Sequence, residues 1–326
     1  MRAVDVLDTA LDRMVVPGFS RIGYSVRSRL GHWDSEPEPD LRGRTAVVTG
    51  ATSGIGAAAA LDLSKLGAEV HLVGRNEERG HAVVQQVDSA GGTAHWHRRD
   101  LSDLDEVDSL GEWLASLPAL DVLVHNAGVL VDRVTRTKQG IEVTAAVHVV
   151  APHRLTAAAL PALRRAVDPD RGRPAGKARV ITVSSGGMYT QPLMIDWLSQ
   201  PPTPFNGPKV YANAKRAQVA LSEWWAAREP GVAFHAMHPG WVDTPGVQSS
   251  LPRFASLTGP ILRTPEQGAD TIVWLASTER GLPSGRFWCD RRERPTEYLH
   301  RNAHSDQQVA QLIDWLDQRG SGPGLD

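Results

Sequence analysis

The sequence predicts an α/β fold, a doubly wound parallel sheet within a single domain. Two observations carry this prediction. Apolar segments typical of buried strands alternate with segments of helical periodicity, and the links between them are short. The chain has 326 residues, 41% of them hydrophobic, which is long enough to bury one large core. In such a sheet a ligand binds at the carboxyl ends of the strands.

Residues 1–40 are predicted to form an extension ahead of the domain. Apolar side chains recur there at helical spacing and predict an amphipathic helix: Val4, Leu7, Leu11, Met14 and Val15. We expect this apolar stripe to pack on the body of the protein or on another subunit. Contact of the helix with a membrane surface is the weaker alternative, because Asp5, Asp8 and Asp12 make its polar face acidic. The segment 35–40 reads as a linker.

The predicted domain covers residues 41–290. In its first half we expect strands at 45–50, 68–74, 93–100 and 121–128, and helices at 54–67, 76–90 and 102–117. A helical stretch at 137–167, a loop at 168–177 and a strand at 178–185 open the second half. An irregular segment at 186–207 precedes the helix that contains VYANAK. A strand at 231–240, a loop at 241–263, a helix at 265–278 and an edge strand at 285–290 follow. Residues 291–326 form a C-terminal extension with one short helix at 307–318.

Composition excludes several classes of protein. The net charge is −2, and the 35 basic and 37 acidic residues are spread along the chain, so no nucleic-acid partner is expected. Cys289 is the only cysteine, which excludes an internal disulfide and suits the cytoplasm. No apolar run is long enough for a transmembrane helix. His95 and His97 have no evident third ligand nearby, so no metal is expected.

The segment TGATSGIG, residues 49–56, lies between the first strand and the first helix of the domain. Gly50, Gly54 and Gly56 permit a tight turn and a close approach of the backbone to a pyrophosphate at the helix N-terminus. We therefore expect a dinucleotide to contact these glycines and the residues between them, which are Thr52, Ser53 and Ile55. An ordinary glycine-rich turn is the alternative.

The end of the second strand indicates which nucleotide binds. An acidic side chain there would accept hydrogen bonds from a free ribose hydroxyl, but this sequence has Gly74, Arg75 and Asn76. A guanidinium group matches a 2′-phosphate in geometry and charge, so we expect NADP rather than NAD. A solvated arginine at the start of a charged helix is the alternative.

Six motifs in order resemble the short-chain dehydrogenase/reductase family, which has a Rossmann-type fold. They are TGATSGIG, Asp100 with Leu101, HNAG, VSS, YANAK and HPGWVDT. The phrases VITVSSGGM, VYANAKR and HPGWVDTPGV are most similar to one branch of this family. The resemblance implies cofactor contacts at the adenine and its ribose, from Asp100, Leu101, Asn126, Ala127 and Gly128. It also implies contacts at the nicotinamide, from Pro239, Gly240, Val242 and Thr244.

The same resemblance assigns the chemistry to Ser185, Tyr211 and Lys215. Tyr211 and Lys215 are four residues apart on a predicted helix, so their side chains share one face. We expect the ammonium and an oxidised nicotinamide to lower the pKa of the phenol so that it exchanges a proton. Lys215 would also bind the nicotinamide ribose. Ser184 is the alternative to Ser185, and only one of these neighbours on a strand can face the cofactor.

Two positions depart from the family pattern. His148 stands where the family commonly has an asparagine that completes a catalytic tetrad through a water molecule. An imidazole could hold that water or relay a proton, or it could disturb the chain of hydrogen bonds. His125 replaces the first asparagine of the family's NNAG motif.

The long segment 186–207 separates Ser185 from Tyr211 and is rich in apolar residues. Together with Trp241, Leu251 and Phe254 it suggests a site for a bulky hydrophobic carbonyl or secondary alcohol. Packing of these side chains against the body of the protein is the equal alternative. The resemblance further suggests a homodimer or homotetramer that pairs through the helices carrying Ala157 and Tyr211.

These observations predict an NADP-dependent oxidoreductase that acts on a hydrophobic carbonyl or alcohol. The alternative is an NADP-binding regulatory protein with little turnover, which His148 motivates. An epimerase or dehydratase on a nucleotide sugar ranks last, because its GxxGxxG spacing is absent.

Overall fold

An eight-stranded sheet forms the centre of the protein in a computed structural model, which describes residues 3–33, 36, 38–167, 178–250, 256, 258–298 and 302–319. The strands are β1 Thr45–Thr49, β2 Glu69–Gly74, β3 Thr93–Arg98, β4 Val122–His125, β5 Ala178–Val183, β6 Val232–Met237, β7 Arg286–Cys289 and β8 Arg292–Arg294. Their order is β3-β2-β1-β4-β5-β6-β7-β8. The first seven are parallel, and β8 pairs antiparallel with β7.

Helices cover both faces of the sheet, which confirms the doubly wound fold. Those of the domain and the C-terminal extension are α4 Gly54–Lys65, α5 Glu77–Ser89, α6 Leu104–Ser116, α7 Val143–Ala145, α8 Ala151–Ala166, α9 Asp196–Ser199, α10 Gly207–Arg228, α11 Pro245–Ser250, α12 Pro265–Ser277 and α13 Asp306–Asp317. The side chains of α6, α8, α10 and α13 share one apolar core with the sheet. Those of α4, α5 and α12 form the second core on the other face. The strand order reverses between β1 and β4, which places the ligand cleft at the carboxyl ends of these two strands.

Two details differ from the expectations drawn from the sequence. The segment predicted as an edge strand, β7, is covered by β8, which follows a tight turn with positive φ at Asp290 and Arg291. The predicted helical stretch at 137–167 begins as a helix only at Val143, because Arg136 and Glu142 form a β-bridge before it. The predicted loop at 168–177 lies outside the described residues.

Three helices form the N-terminal extension: α1 Ala3–Arg13, α2 Val15–Phe19 and α3 Arg21–Leu30. A buried network of ion pairs fastens them to the end of the sheet. Arg27 on α3 pairs with Asp8 on α1 at 2.8 Å and with Asp290 after β7 at 2.6 Å. Asp8 also pairs with Arg294 of β8 at 2.7 Å, and Asp290 pairs with Arg263 at 2.6 Å.

Most of the described apolar stripe of the first helix does not pack on the body of the protein, and its packing on another subunit stays a prediction. Asp8 and Asp12 face the body, because their arginine partners lie there. Leu11 is buried, whereas Leu7, Met14 and Val15 are 44%, 49% and 53% exposed. The apolar stripe therefore faces outward for the most part. In the part of the chain that the structure describes, the helices are too short or too polar to cross a bilayer.

Candidate active site

The glycine-rich loop closes between β1 and α4 in the way a bound pyrophosphate requires. Gly50 and Gly54 have φ of 68° and 55°, a conformation that side chains other than glycine rarely adopt. A Cβ atom on Gly50 would lie 2.7 Å from the Cα of Ala127, and one on Gly56 would collide with the Gly50 carbonyl. The Ser53 side chain does not cap α4. The glycine-rich loop thus forms a cradle that has room for backbone atoms but not for side chains. The N–H groups in the first turn of α4 are free of helical partners and can bind an anion.

Asn126 joins the glycine-rich loop to the end of β4. Its side-chain amide donates to the carbonyl oxygens of Thr49 and Gly50, at 2.9 and 3.2 Å. The backbone N–H groups of Asn126 and Ala127 donate to the hydroxyl of Thr49 at 3.0 and 3.1 Å. The asparagine therefore holds the loop in shape. Thr49, which the motif analysis did not single out, is the centre of this junction.

The residues expected at the adenosine end lie around the carboxyl ends of β2 and β3. Arg75 is exposed and its guanidinium lies 3.8 Å from the Asp100 carboxylate. Asp100 also accepts hydrogen bonds from the backbone and hydroxyl of Ser102. The side chain of Asn76 caps α5 by accepting from the Arg79 N–H at 2.8 Å, and Leu101 is buried. Arg75 is thus the side chain of this group that is most available to a 2′-phosphate.

Ser185 and Tyr211 meet at the proposed centre of the chemistry. The side chain of Ser185, which follows β5, lies close enough to the phenol of Tyr211, on α10, to favour its ionised form. The Ser185 oxygen also accepts from the Gly187 N–H at 3.1 Å. Ser184 is buried and donates to the backbone carbonyl of Lys215 at 2.9 Å. The alternation along the strand therefore turns Ser185, and not Ser184, toward the phenol.

Lys215 lies beside Tyr211 on the same face of α10. Its ammonium is 5.4 Å from the centre of the tyrosine ring and donates to the carbonyl of Val183 at 2.7 Å. Burial lowers the pKa of Lys215 to about 7. Burial also raises the pKa of Tyr211 to about 12, against an opposing effect of Ser185. The expected lowering of the phenol pKa is therefore not produced by the protein groups alone.

His148 packs against the phenol from a turn of π-helix, Ala146–Val150. The two rings are 5.3 Å apart and nearly perpendicular. The Nε2 atom lies 2.9 Å from the Val129 nitrogen and 2.8 Å from the Val129 oxygen. A Cβ atom on Gly128 would lie 2.7 Å from the imidazole, so the glycine makes room for this ring. Burial, and secondly Lys215, hold the pKa of His148 well below 6.5, so the ring is neutral.

A small cavity of about 20 Å³, lined by both apolar and polar side chains, lies next to His148. Among the residues that the structure describes, several polar side chains lining it have buried atoms without a hydrogen-bond partner: His125, His148, His153, Gln218, Ser222 and Trp225. A cavity of this size with several polar atoms can hold about one water molecule. The cavity therefore offers a site for a water molecule beside His148. Of the lining residues, the sequence analysis identified only the first two.

The segment expected at the nicotinamide runs along the other side of the cleft. Gly240 has φ of 77°, and a Cβ atom there would lie 2.6 Å from the carbonyl oxygen of Phe19. Thr244 faces the glycine-rich loop, since its methyl group would be 3.1 Å from a Cβ on Gly54. Val242 is buried, and it and Ile55 both approach Gly268. The structure therefore places the predicted nicotinamide segment against the glycine-rich loop.

Residues of the N-terminal extension support this segment, and the sequence analysis missed them. The N–H of Trp241 donates to the carbonyl of Phe19 at 2.7 Å, and the Phe19 ring packs on His238. Arg263 donates to the carbonyls of Pro239 and Ser20, at 3.1 and 3.2 Å. Phe19 and Ser20 are each more than 200 residues away in the chain from the residue that they contact here. No local sequence pattern could therefore have indicated these contacts.

The segment 186–207 contributes both to the core and to the surface. Met188, Leu193 and Leu198 are buried, whereas Met194 is 36% exposed. Asn213 of α10 holds the Met194 backbone with two hydrogen bonds, at 2.7 and 2.9 Å. Leu251 and Phe254, expected to border the substrate, lie outside the described residues. The segment thus buries three apolar side chains against the body and leaves Met194 partly exposed.

His95 and His97, which the sequence analysis considered as metal ligands, contact different side chains. The Nδ1 of His71 lies 3.0 Å from the Nε2 of His97, and His95 approaches Glu69 at 2.8 Å. In the described residues there is no group of three or more histidine, cysteine or acidic side chains placed to hold a metal ion.

A doubly wound sheet with a glycine-only cradle at its switch point defines a Rossmann-type dinucleotide-binding protein. Residues 44–253 match the model of the short chain dehydrogenase family. The chain therefore belongs to the short-chain dehydrogenase/reductase family.

Relatives of this chain include two proteins named dehydrogenase/reductase SDR family member 12, the branch that the sequence phrases resemble. The one from Bos taurus is 38% identical over 92% of this chain and 93% of its own. The one from Homo sapiens is 39% identical over 86% of this chain and 87% of its own. A solved structure of 3-oxoacyl (acyl-carrier-protein) reductase from Agrobacterium tumefaciens with NADP bound is also similar. It is 27% identical over 76% of this chain and 93% of its own, with a TM-score of 0.60.

Proposed function

We propose that the protein is an NADP-dependent oxidoreductase that transfers a hydride between the nicotinamide and a hydrophobic carbonyl or secondary alcohol. The observation that carries the proposal is the placement of Ser185 beside the phenol of Tyr211, with Lys215 on the same helix face, 5.4 Å from the tyrosine ring. Membership of an oxidoreductase family supports it. The named 3-oxoacyl reductase with NADP bound supports both the direction of reduction and the nucleotide.

The residues of the cleft have distinct roles in this proposal. The backbone of the glycine-rich loop would bind the pyrophosphate, and Arg75 the 2′-phosphate. Bound NADPH supplies the hydride, which goes to the carbonyl carbon of the substrate. Tyr211 donates its proton to the carbonyl oxygen, while the Ser185 hydroxyl orients that oxygen by a hydrogen bond. The reduction thus consumes one hydride and one proton and yields the alcohol.

Lys215 has two roles in the proposed mechanism. First, its ammonium lies on the same face of α10 as the phenol, where it would bind the hydroxyls of the nicotinamide ribose. Burial brings its pKa to about 7, so the lysine can take up and release a proton near neutral pH. It can therefore return a proton to Tyr211 after each turnover.

The test uses the purified full-length protein, NADPH and a panel of hydrophobic aldehydes and ketones. We expect oxidation of NADPH with at least one panel member, measured by the loss of absorbance of the nicotinamide. Tyr211→Phe should reduce kcat by about 10²- to 10⁴-fold, the range for loss of a general acid, and should leave NADPH affinity within a few fold. Turnover that survives this substitution would contradict the assignment of the acid.

A regulatory protein that binds NADP without turnover is the second candidate. The contact of His148 with Tyr211, and the raised pKa of that tyrosine, favour it. NADPH bound tightly, with no panel member reduced and no effect of Tyr211→Phe, would favour the regulator over the enzyme.

A further inference from the structure

The N-terminal helices carry an apolar surface that we call the N-terminal patch. It consists of Leu7, Met14, Val15, Val16 and Ile22, each 44–54% exposed. Among the described residues only three other large hydrophobic side chains are exposed: Val134, Met194 and Tyr298. Exposed apolar side chains are thus concentrated in one short part of the chain, and a concentration of this kind marks an interaction surface.

Asp8 and Asp12 of the first helix are turned away from the patch. Asp8 is buried between Arg27 and Arg294, at 2.8 and 2.7 Å. Asp12 lies 3.4 Å from Arg294 and is also hydrogen-bonded to Tyr298. Two of the three charges that argued against membrane contact in the sequence, those of Asp8 and Asp12, are therefore paired with arginines on the side of the body. The outward face keeps its apolar side chains.

Exposed arginines border the patch. Arg13 directly precedes Met14, and Arg21 directly precedes Ile22. Arg29 is seven residues, or about two helical turns, beyond Ile22 and so lies on the same face of α3. An aliphatic surface with guanidinium groups at its border matches the boundary between the acyl chains and the headgroups of an anionic bilayer.

We propose that the N-terminal patch binds the surface of a bilayer that contains anionic lipids. The aliphatic tips enter the headgroup region, and the three arginines contact lipid phosphates and carboxylates. A second copy of the chain fits this surface less well. In a two-fold interface the same patch meets itself, which would bring the like-charged arginine borders together.

The N-terminal helices that carry the patch also lie next to the active-site end of the sheet. The ring of Phe19, on α2, packs close to Gly186, because a Cβ there would meet it at 2.6 Å. Gly186 directly follows Ser185. This second step rests on the proposed function, since a bilayer would present a hydrophobic carbonyl beside the cleft. The binding of lipid does not depend on it.

Sedimentation of the full-length protein with vesicles tests the proposal. One set contains phosphatidylcholine alone, and the other contains phosphatidylcholine with phosphatidylserine. We expect binding to the anionic vesicles to be stronger by on the order of tenfold to 100-fold at low salt, and to weaken as salt is added. A triple variant, Met14→Gln, Val16→Thr and Ile22→Gln, should lose at least about tenfold in affinity. Val134→Thr is the matched control and should bind as the wild type does.

Three results would overturn the proposal. The first is no sedimentation with either kind of vesicle, and the second is equal binding by the triple variant. The third is a dimer in light scattering that the triple variant converts to monomer, because the patch would then belong to a second copy. Reduction of a water-soluble ketone by the triple variant, with unchanged NADPH affinity, shows that it is folded. It also separates failure of lipid binding from failure of the proposed reaction.

Discussion

His148 contacts the proposed acid as a neutral ring. Because its pKa lies well below 6.5, it carries no charge at about pH 6 and above. We therefore expect a profile of kcat/KM against pH without a limb near 6.5 that belongs to His148. The variant His148→Asn should keep the shape of the profile, although its height can change. A limb near that pH in the wild type that disappears in the variant would show that the histidine is charged in the enzyme.

Arg75 should determine the choice between the two nicotinamide cofactors. Its guanidinium is exposed at the end of β2 and is held only loosely by Asp100, at 3.8 Å. We expect Arg75→Asp to weaken NADPH binding by about 10- to 100-fold, as for loss of a hydrogen bond to a charged group, and NADH binding by much less. Titration calorimetry with both nucleotides measures this difference.

The matched control for Arg75 is Arg42→Asp. Arg42 is 83% exposed, and it precedes β1 at the amino end of the sheet, away from the cleft. Arg42→Asp makes the same change of charge as Arg75→Asp. It should leave the affinities for NADPH and NADH within about twofold of the wild type, since exposed charges at this distance are screened. Equal losses for NADPH and NADH in Arg75→Asp would count against NADP as the cofactor.

At the scale of elements, the loop after β6 depends on a buried arginine. Arg263 pairs with Asp290 at 2.6 Å, both side chains being 1% exposed, and it also supports Pro239. We expect Arg263→Met to lower the free energy of unfolding by about 3–5 kcal/mol, because it leaves a buried carboxylate with one partner fewer. Urea denaturation measures this loss. The KM for NADPH should rise in parallel, because the nicotinamide segment loses its support.

Arg280→Met is the comparison for Arg263. Arg280 pairs with Glu36 at 2.6 Å, yet its side chain is 65% exposed. Exposed ion pairs contribute about 0–1 kcal/mol, so the variant should be nearly as stable as the wild type. A similar loss of unfolding free energy in both variants would show that the contribution of the Arg263 pair to stability does not depend on its burial.

Local patterns predicted the elements of the fold and the side chains that each element presents. The glycine-rich loop and the shared helix face of Tyr211 and Lys215 follow from spacing, whereas Ser185 was assigned from the resemblance to the family. The structure brings Ser185 and Lys215 close to Tyr211. Contacts between distant segments could not be predicted in this way. Phe19 supports Trp241, and Arg27 pairs with Asp290, across 222 and 263 residues. Similarly, the outward turn of the first helix depends on Arg294, and its own sequence carries no sign of that partner.

At the scale of the whole molecule, both extensions are fastened to the domain, by different forces. The C-terminal helix α13 inserts Leu312, Trp315 and Leu316 into the core that α8 and α10 share. The N-terminal helices are held chiefly by the ion pairs of Asp8 and Asp290. Stabilisation by apolar packing does not depend on pH, whereas stabilisation by an ion pair of a carboxylate is lost when the carboxylate is protonated. Acid should therefore weaken the attachment of the N-terminal helices first.

This difference gives a prediction for Asp8→Asn. The arginines hold the pKa of Asp8 at about 2, against a value of 3.8 in the unfolded chain. The folded pKa is the lower one, so this stabilisation is complete above 3.8 and is lost as the pH falls toward 2. At pH 7 we expect the variant to be less stable by about 3–5 kcal/mol, because buried guanidinium groups lose their partner.

The same variant should differ much less from the wild type near the folded pKa of about 2, where Asp8 itself becomes protonated. Urea denaturation followed by circular dichroism, at neutral pH and at successively lower pH, measures the gap between the two proteins. The gap should narrow as the acid is added, if the acid state remains folded enough to give a transition. Asp40→Asn is the control. Asp40 is paired with Arg42 at the surface, and the two side chains are 54% and 83% exposed. Loss of this pair should hardly change the stability at any pH. A gap for Asp8→Asn that stays constant down to low pH would mean that the N-terminal helices are held by shape and packing, with the charge of Asp8 contributing little.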